Sequence, residues 1–137
     1  FTERALSKML GMQMDIDYSK RTVTISLEHQ IEKMLREFGL EESKPARTPM
    51  PTNFKLSEAD VPSNPTELAR QVASFDMQSC VGHLNFIQQF GRPEITYPLK
   101  LLSRFTTKYG ERHIQLAKHV MRWLRGTCTH NLRFTGT

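Results

Sequence analysis

Apolar and polar positions alternate with a period of two near the start of the chain. Leu10, Met12, Met14, Ile16 and Tyr18 share one side of an extended segment, and Gly11, Gln13, Asp15 and Asp17 share the other. That is the pattern of a half-buried strand. Ser19, Lys20 and Arg21 form a polar turn, and residues 22–27 return with Val23 and Ile25 alternating, so a β-hairpin is predicted. The period then lengthens. Ile31, Met34, Leu35 and Phe38 stand at i, i+3, i+4 and i+7, which predicts a helix over 28–38 that stops at Gly39. From residue 44 to about 75 the pattern fades. Pro45, Pro49, Pro51, Pro62 and Pro65 interrupt it, and an extended connector is expected, pinned by Phe54 and Leu56. Helical spacing resumes after Asp76, a plausible N-cap, and Met77, Cys80, Val81, Leu84 and Ile87 carry it to Phe90. Gly82 inside this helix implies close approach of another backbone. Arg92-Pro93 starts a further helix on Leu99, Leu102 and Phe105, which Pro98 should bend or shorten.

The strongest periodicity lies after Gly110. On a wheel of residues 111–125, Ile114, Leu116, Ala117, Val120, Met121, Trp123 and Leu124 fill one arc, interrupted by His113. Arg112, Gln115, Lys118, His119, Arg122 and Arg125 fill the other, with Lys118, Arg122 and Arg125 in one stripe. Gly126 stands where a left-handed helix cap is expected. A short strand over 131–135 should lead out of the segment. The fold class implied is α+β. It comprises a hairpin and helix (1–43), the Pro-rich connector (44–75), a three-helix bundle (76–127) and an exit strand (128–137).

Charge sharpens this picture. Residues 1–90 carry 10 Lys and Arg against 12 Asp and Glu, whereas residues 91–137 carry 9 against 2. A basic half on a near-neutral half points to a polyanionic partner. No apolar run approaches the ~20 residues that a membrane-spanning helix needs, and no signal-peptide layout opens the chain. An intracellular, non-secreted segment of a longer protein is therefore expected, with no membrane partner. The two cysteines, Cys80 and Cys128, form no CxxC pair and are expected as reduced thiols. The five histidines form no metal-ligand cluster, and no nucleophile elbow or phosphate loop occurs. Asp15 and Asp17 share the wet face of a hairpin, where solvated carboxylates are the plain reading.

The blocks MLGMQMDI, ISLEHQIEKMLREFGL, KPARTPM, SCVGHLNFI, GRPEITYPLKLLSRF and HIQLAKHVMRWLRGT stand in order along the whole chain. Together they resemble the reverse transcriptase region of copia-type retrotransposon polyproteins. The chain departs from that pattern at Asp76, Met77, His83, Phe86 and Pro98. The resemblance implies the end of the palm, the thumb and the connecting segment of a right-hand polymerase fold. The paired polymerase aspartates would lie upstream and the RNase H site downstream. No catalytic residue, metal ligand or cofactor is then expected in this segment; the parent polymerase would hold Mg²⁺ at aspartates outside it, and the segment alone would be inactive. Its partners would be a template–primer duplex and the remaining palm and RNase H parts of the same polyprotein. Arg92, Lys100, Arg104, Lys118, Arg122 and Arg125 are the expected phosphate contacts. The alternative is a repurposed or decayed remnant serving as a protein- or DNA-binding helical module.

Overall fold

The alternating segment becomes the middle of a sheet. The computed structural model describes residues 4–9, 12–51, 54–128 and 132–136. Four antiparallel strands, β1 (Arg4–Met9), β2 (Met12–Asp17), β3 (Thr22–Ser26) and β4 (Leu132–Thr135), lie side by side in that order. In this register Ile16 is opposite Val23, Met14 is opposite Ile25, and Val23 is opposite Phe134, so apolar side chains share one face. Leu10, Gly11 and Asn131, which the sequence pattern assigns to strands, lie outside the described residues. β1 has no clean alternation from which to predict it. The expected exit strand pairs antiparallel with β3 at one edge of the sheet. The carboxylate of Asp17 accepts from the Ser19 and Lys20 N–H groups and the Ser19 hydroxyl, at 2.7–3.2 Å. The Ser19 hydroxyl, first among these bonds, holds that carboxyl below its usual range. Asp17 thus builds the hairpin turn.

Helix α1 (Glu28–Glu37) buries Ile31, Met34 and Leu35, and Gly39 follows with φ of 69°, the left-handed stop that the sequence implies. Helices α3 (Met77–Phe90), α4 (Thr96–Ser103) and α5 (Glu111–Gly126) complete the core. α1 packs on both α3 and α5, so the bundle holds four helices rather than three. The arc read from the wheel is the buried one: Ile114, Leu116, Ala117, Val120, Met121 and Leu124 face inward with His113. Asp76 caps α3 by accepting from Ser79 N–H at 3.1 Å. Pro93 begins only a 3₁₀ turn, Pro93–Ile95, and the α-helix starts at Thr96 with Pro98 buried in its first turn. There the missing N–H breaks no helical bond.

The Pro-rich stretch is more ordered than its composition suggests. It holds a 3₁₀ turn (Glu58–Asp60) and a ten-residue helix, α2 (Pro65–Ser74). Pro65 sits at the first helical position and Asn64 caps Thr66 N–H at 2.9 Å. A single proline at the first helical position therefore marks this helix's start. The Tyr109 hydroxyl ties the end of α2 to the start of α3. It lies as donor between the Phe75 and Val72 carbonyls and accepts from Met77 N–H.

Candidate nucleic-acid interface

The first part of that stretch is a strap lying antiparallel along α5. Arg125 Nε donates to the Glu41 carbonyl at 2.6 Å, Ala46 N–H donates to the Arg122 carbonyl at 3.3 Å, and His119 Nε2 donates to the Thr48 carbonyl at 2.9 Å. Further along, Arg112 lies 4.8 Å from the Phe54 ring centroid and pairs with Asp60 at 3.3 Å. Positions on the strap rise from 41 to 60 as positions on the helix fall from 125 to 112. Two glycines make the fit close. A Cβ at Gly126 would lie 2.8 Å from Pro45 Cβ, and one at Gly110 would lie 2.2 Å from the Asp60 carbonyl oxygen.

These contacts correct two expectations about glycine. Gly126 lies inside α5 and is not a left-handed cap; positive φ occurs among the described glycines only at Gly39. Its function is to admit the strap. Gly82, expected under another backbone, has nothing within 4 Å of a built Cβ.

Electrostatics at the α5 N-terminus follow from the same packing. Asp60 accepts from Ser57 N–H at 2.8 Å, and that bond, helped by Arg112, keeps its carboxyl below the usual range. His113 is fully buried, with Nδ1 accepting from Gly110 N–H at 3.0 Å and, among the described residues, no partner at Nε2. Burial lowers its pKa, as it does for His119.

The six expected phosphate contacts separate into three situations. Arg92 is 3% exposed. Its Nε donates to Glu94 at 2.5 Å and its two terminal nitrogens donate to the carbonyl and hydroxyl of Thr127 at 2.9 and 2.5 Å. It latches the α3–α4 junction to the end of α5 and has no surface to offer, which removes it from the candidate interface. Arg125 is half-buried, with Nε committed to the strap. Lys100, Arg104 and Lys118 are exposed and Arg122 half-buried; among the described residues none of these four side chains has a hydrogen-bond or ion-pair partner. Lys100 and Arg104 follow Tyr97, 62% exposed, at i+3 and i+7 on the outer side of α4. Arg104 also borders a cleft of about 610 Å³ with Phe105 and Lys108.

Sequence periodicity misses Lys44 and Arg47. Both are exposed, and the strap's bonds at Ala46 and Thr48 bring their stretch of chain alongside α5. Their one sequence signal is the block KPARTPM, which is basic and braced by prolines. Tyr97 escapes it too, although its spacing from Lys100 is visible.

Other chemistry converges at α1 and α3. Glu37 accepts from the Ser79 hydroxyl at 2.9 Å and meets His83 Nε2 at 2.6 Å, and the Ser79 bond is foremost in holding Glu37 below the usual carboxylate range. The serine donates to the carboxylate and not to the imidazole, so the trio lacks the nucleophile–base contact of acyl transfer. It clamps two helices. Cys80 and Cys128 are free thiols; burial pushes Cys80 up to about 12 and also raises Cys128. Among the described residues, no group of three or more His, Cys, Asp or Glu side chains could hold a metal ion, and no helix is long and apolar enough to cross a membrane.

Comparison with known proteins gives the context. The chain is 32% identical over 130 residues to a retrovirus-related Pol polyprotein from transposon TNT 1-94 of Nicotiana tabacum, covering 95% of the chain and 10% of that protein. It is 31% identical over 129 residues to a putative transposon Ty5-1 protein of Saccharomyces cerevisiae, covering 94% of the chain and 39% of that protein. It is 31% identical over 110 residues to a retrovirus-related Pol polyprotein from transposon RE1 of Arabidopsis thaliana, covering 79% of the chain and 7% of that protein. No family model and no solved structure matches the chain. The chain is thus homologous, along nearly its whole length, to a segment of retrotransposon polyproteins.

Proposed function

We propose that this chain is the duplex-holding segment of a copia-type reverse transcriptase, from the end of the palm through the thumb of a right-hand polymerase fold. It grips a template–primer duplex by its phosphates. Catalytic aspartates with their Mg²⁺, and the RNase H site, belong to other parts of the polyprotein in this reading. The observation that carries it is a set of cations on α4 and α5, Lys100, Arg104 and Lys118 exposed and Arg122 half-buried, that have no hydrogen-bond or ion-pair partner among the described residues. Arg92 and Arg112, by contrast, are spent on protein partners, Arg92 on Glu94 and Thr127 and Arg112 on Asp60. Cations left without protein partners attract a phosphodiester backbone without reading its bases. Tyr97 beside Lys100 adds a ring that can lie against sugar or an unpaired base.

The test is binding of the chain to a fluorescein-labelled RNA–DNA hybrid, read by fluorescence polarisation at salt concentrations from about 50 to 300 mM, the range over which phosphate-driven binding weakens steeply. Log affinity should fall linearly with log salt. Replacing Lys118 and Arg122 with alanine should flatten the slope by up to about 0.9 for each phosphate no longer neutralised. Salt-insensitive binding, or no binding by folded protein, would overturn the reading.

One observation favours a second reading, a module that docks on protein. The apolar face of the sheet ends in exposed aromatics, with Phe134 54% and Tyr18 55% exposed. In the leading reading the remaining palm covers that face; in the second, another protein does.

A further inference from the structure

The strap fixes its register on α5 through backbone atoms, and this has a consequence for its own side chains. Ala46 N–H is bonded to the Arg122 carbonyl and the Thr48 carbonyl to His119. Lys44 and Arg47 are therefore within two residues of those bonds, on the segment lying against the part of α5 that carries Lys118 and Arg122. Both are exposed, and neither has a hydrogen-bond or ion-pair partner among the described residues. The acidic residues of the strap lie at its two ends: Glu41 and Glu42 at the Arg125 end, where Glu41 borders a cleft with Glu32, Arg36 and Arg125, and Glu58 and Asp60 at the other, where Asp60 pairs with Arg112. The acidic residues thus flank the strap at both ends, and its middle, anchored at Ala46 and Thr48, carries only the cations Lys44 and Arg47.

We infer that the strap and α5 form one composite phosphate-binding seam, in which Lys44 and Arg47 act together with Lys118 and Arg122 on the backbone of a nucleic-acid duplex. This rests on the duplex-holding function above and extends it to a segment whose sequence reads as a linker. The strap then serves as half of the binding surface. Pro45 seated against Gly126 and the bond from Arg125 hold it in place. Rigid attachment matters because cations held in position lose less conformational freedom on binding than cations on a free loop.

Four proteins test this: the parent chain, Lys44→Ala/Arg47→Ala, Lys118→Ala/Arg122→Ala, and Arg70→Ala on exposed α2 as a surface control. Each is titrated with the same RNA–DNA hybrid across the salt series, with circular dichroism to establish equal helix content. The strap pair and the helix pair should each lower the slope of log affinity against log salt by about 1 to 2, and Arg70→Ala should leave it unchanged. If the helix pair flattens the slope and the strap pair does not, the seam is refuted while the duplex-holding reading stands. If the strap pair alone flattens it, the contact belongs to the strap and the shared seam is refuted. If the parent chain binds without salt dependence, both fall together.

Discussion

Two glycines in helices offer a controlled comparison of helix propensity against packing. Gly82 and Gly126 both lie within α-helices and both are exposed. Replacing a helical glycine by alanine gains up to about 1 kcal/mol in an exposed interior position. At Gly82 nothing lies within 4 Å of the new methyl group, so Gly82→Ala should stabilise by most of that amount. At Gly126 the same methyl lies 2.8 Å from Pro45 Cβ. That atom belongs to a rigid ring, and the ring belongs to a strap tied by backbone bonds on both sides. Overpacking of this kind costs about 1–3 kcal/mol. The propensity gain is smaller at a helix end, so Gly126→Ala should destabilise by about 0.5–2 kcal/mol. Urea unfolding followed by fluorescence of the single tryptophan, Trp123, reads both changes in one assay. A double variant that adds Pro45→Gly removes the offending atom, and a coupling of about 1 kcal/mol is expected between positions 45 and 126. If Gly126→Ala stabilises the protein as much as Gly82→Ala does, the strap is not seated on α5 as described.

Other perturbations follow from the same contacts. Arg92→Ala should cost about 3 kcal/mol or more, because hydrogen bonds to a charged group contribute about 1.5–3 kcal/mol each and the Thr127 carbonyl would lose its partner. Arg92→Lys should recover less than half, since one ammonium cannot span Glu94 and both Thr127 oxygens; a shift in urea midpoint within error for either variant would contradict the latch. Tyr109→Phe should cost about 1–3 kcal/mol by leaving buried carbonyls at the end of α2 without their donor, and amide exchange should speed up in α2 before the rest of the molecule. Burial lowers the pKa of His113 below its unfolded value of 6.5, so the unfolded chain binds the proton more readily. Stability from this group is complete above pH 6.5 and declines as pH falls through the interval below it, with His119 contributing in the same direction. The thermal midpoint should fall between about pH 7.5 and 5.5, the interval that spans the unfolded histidine's titration. His113→Asn should reduce that fall; an identical pH dependence in the variant would refute the assignment.

The sequence is most informative where local pattern and tertiary packing agree. The α5 arc is legible because seven of its residues meet one core, and α1 because Ile31, Met34 and Leu35 do the same. Hairpin register is legible from the period-two pattern of Met14, Ile16, Val23 and Ile25. The connector is not, because its structure comes from the partner it lies on. Extended strap residues carry no periodicity of their own, and their hydrogen bonds go to backbone atoms of α5 and to Arg125 and His119. α2 is hidden because Pro65 reads as a breaker and its helix buries no residue completely. In the candidate interface, spacing alone does not distinguish Arg92 from Lys118. Both are cations on helical segments, and only the fold shows one latched to Thr127 and the other open to solvent. The glycines mislead for a similar reason: what a glycine makes room for is set by a neighbour distant in sequence, Pro45 in one case and none in the other.

The most direct measurement is an amide chemical-shift map of the ¹⁵N-labelled chain titrated with RNA–DNA hybrid at low salt. A duplex held by the seam should shift residues 44–48 and the neighbourhood of Lys118 and Arg122 most, with a weaker track along Tyr97, Lys100 and Arg104, while α2 stays unchanged. Shifts centred on the sheet around Val23 and Phe134, with the strap and α5 silent, would contradict duplex holding by this face.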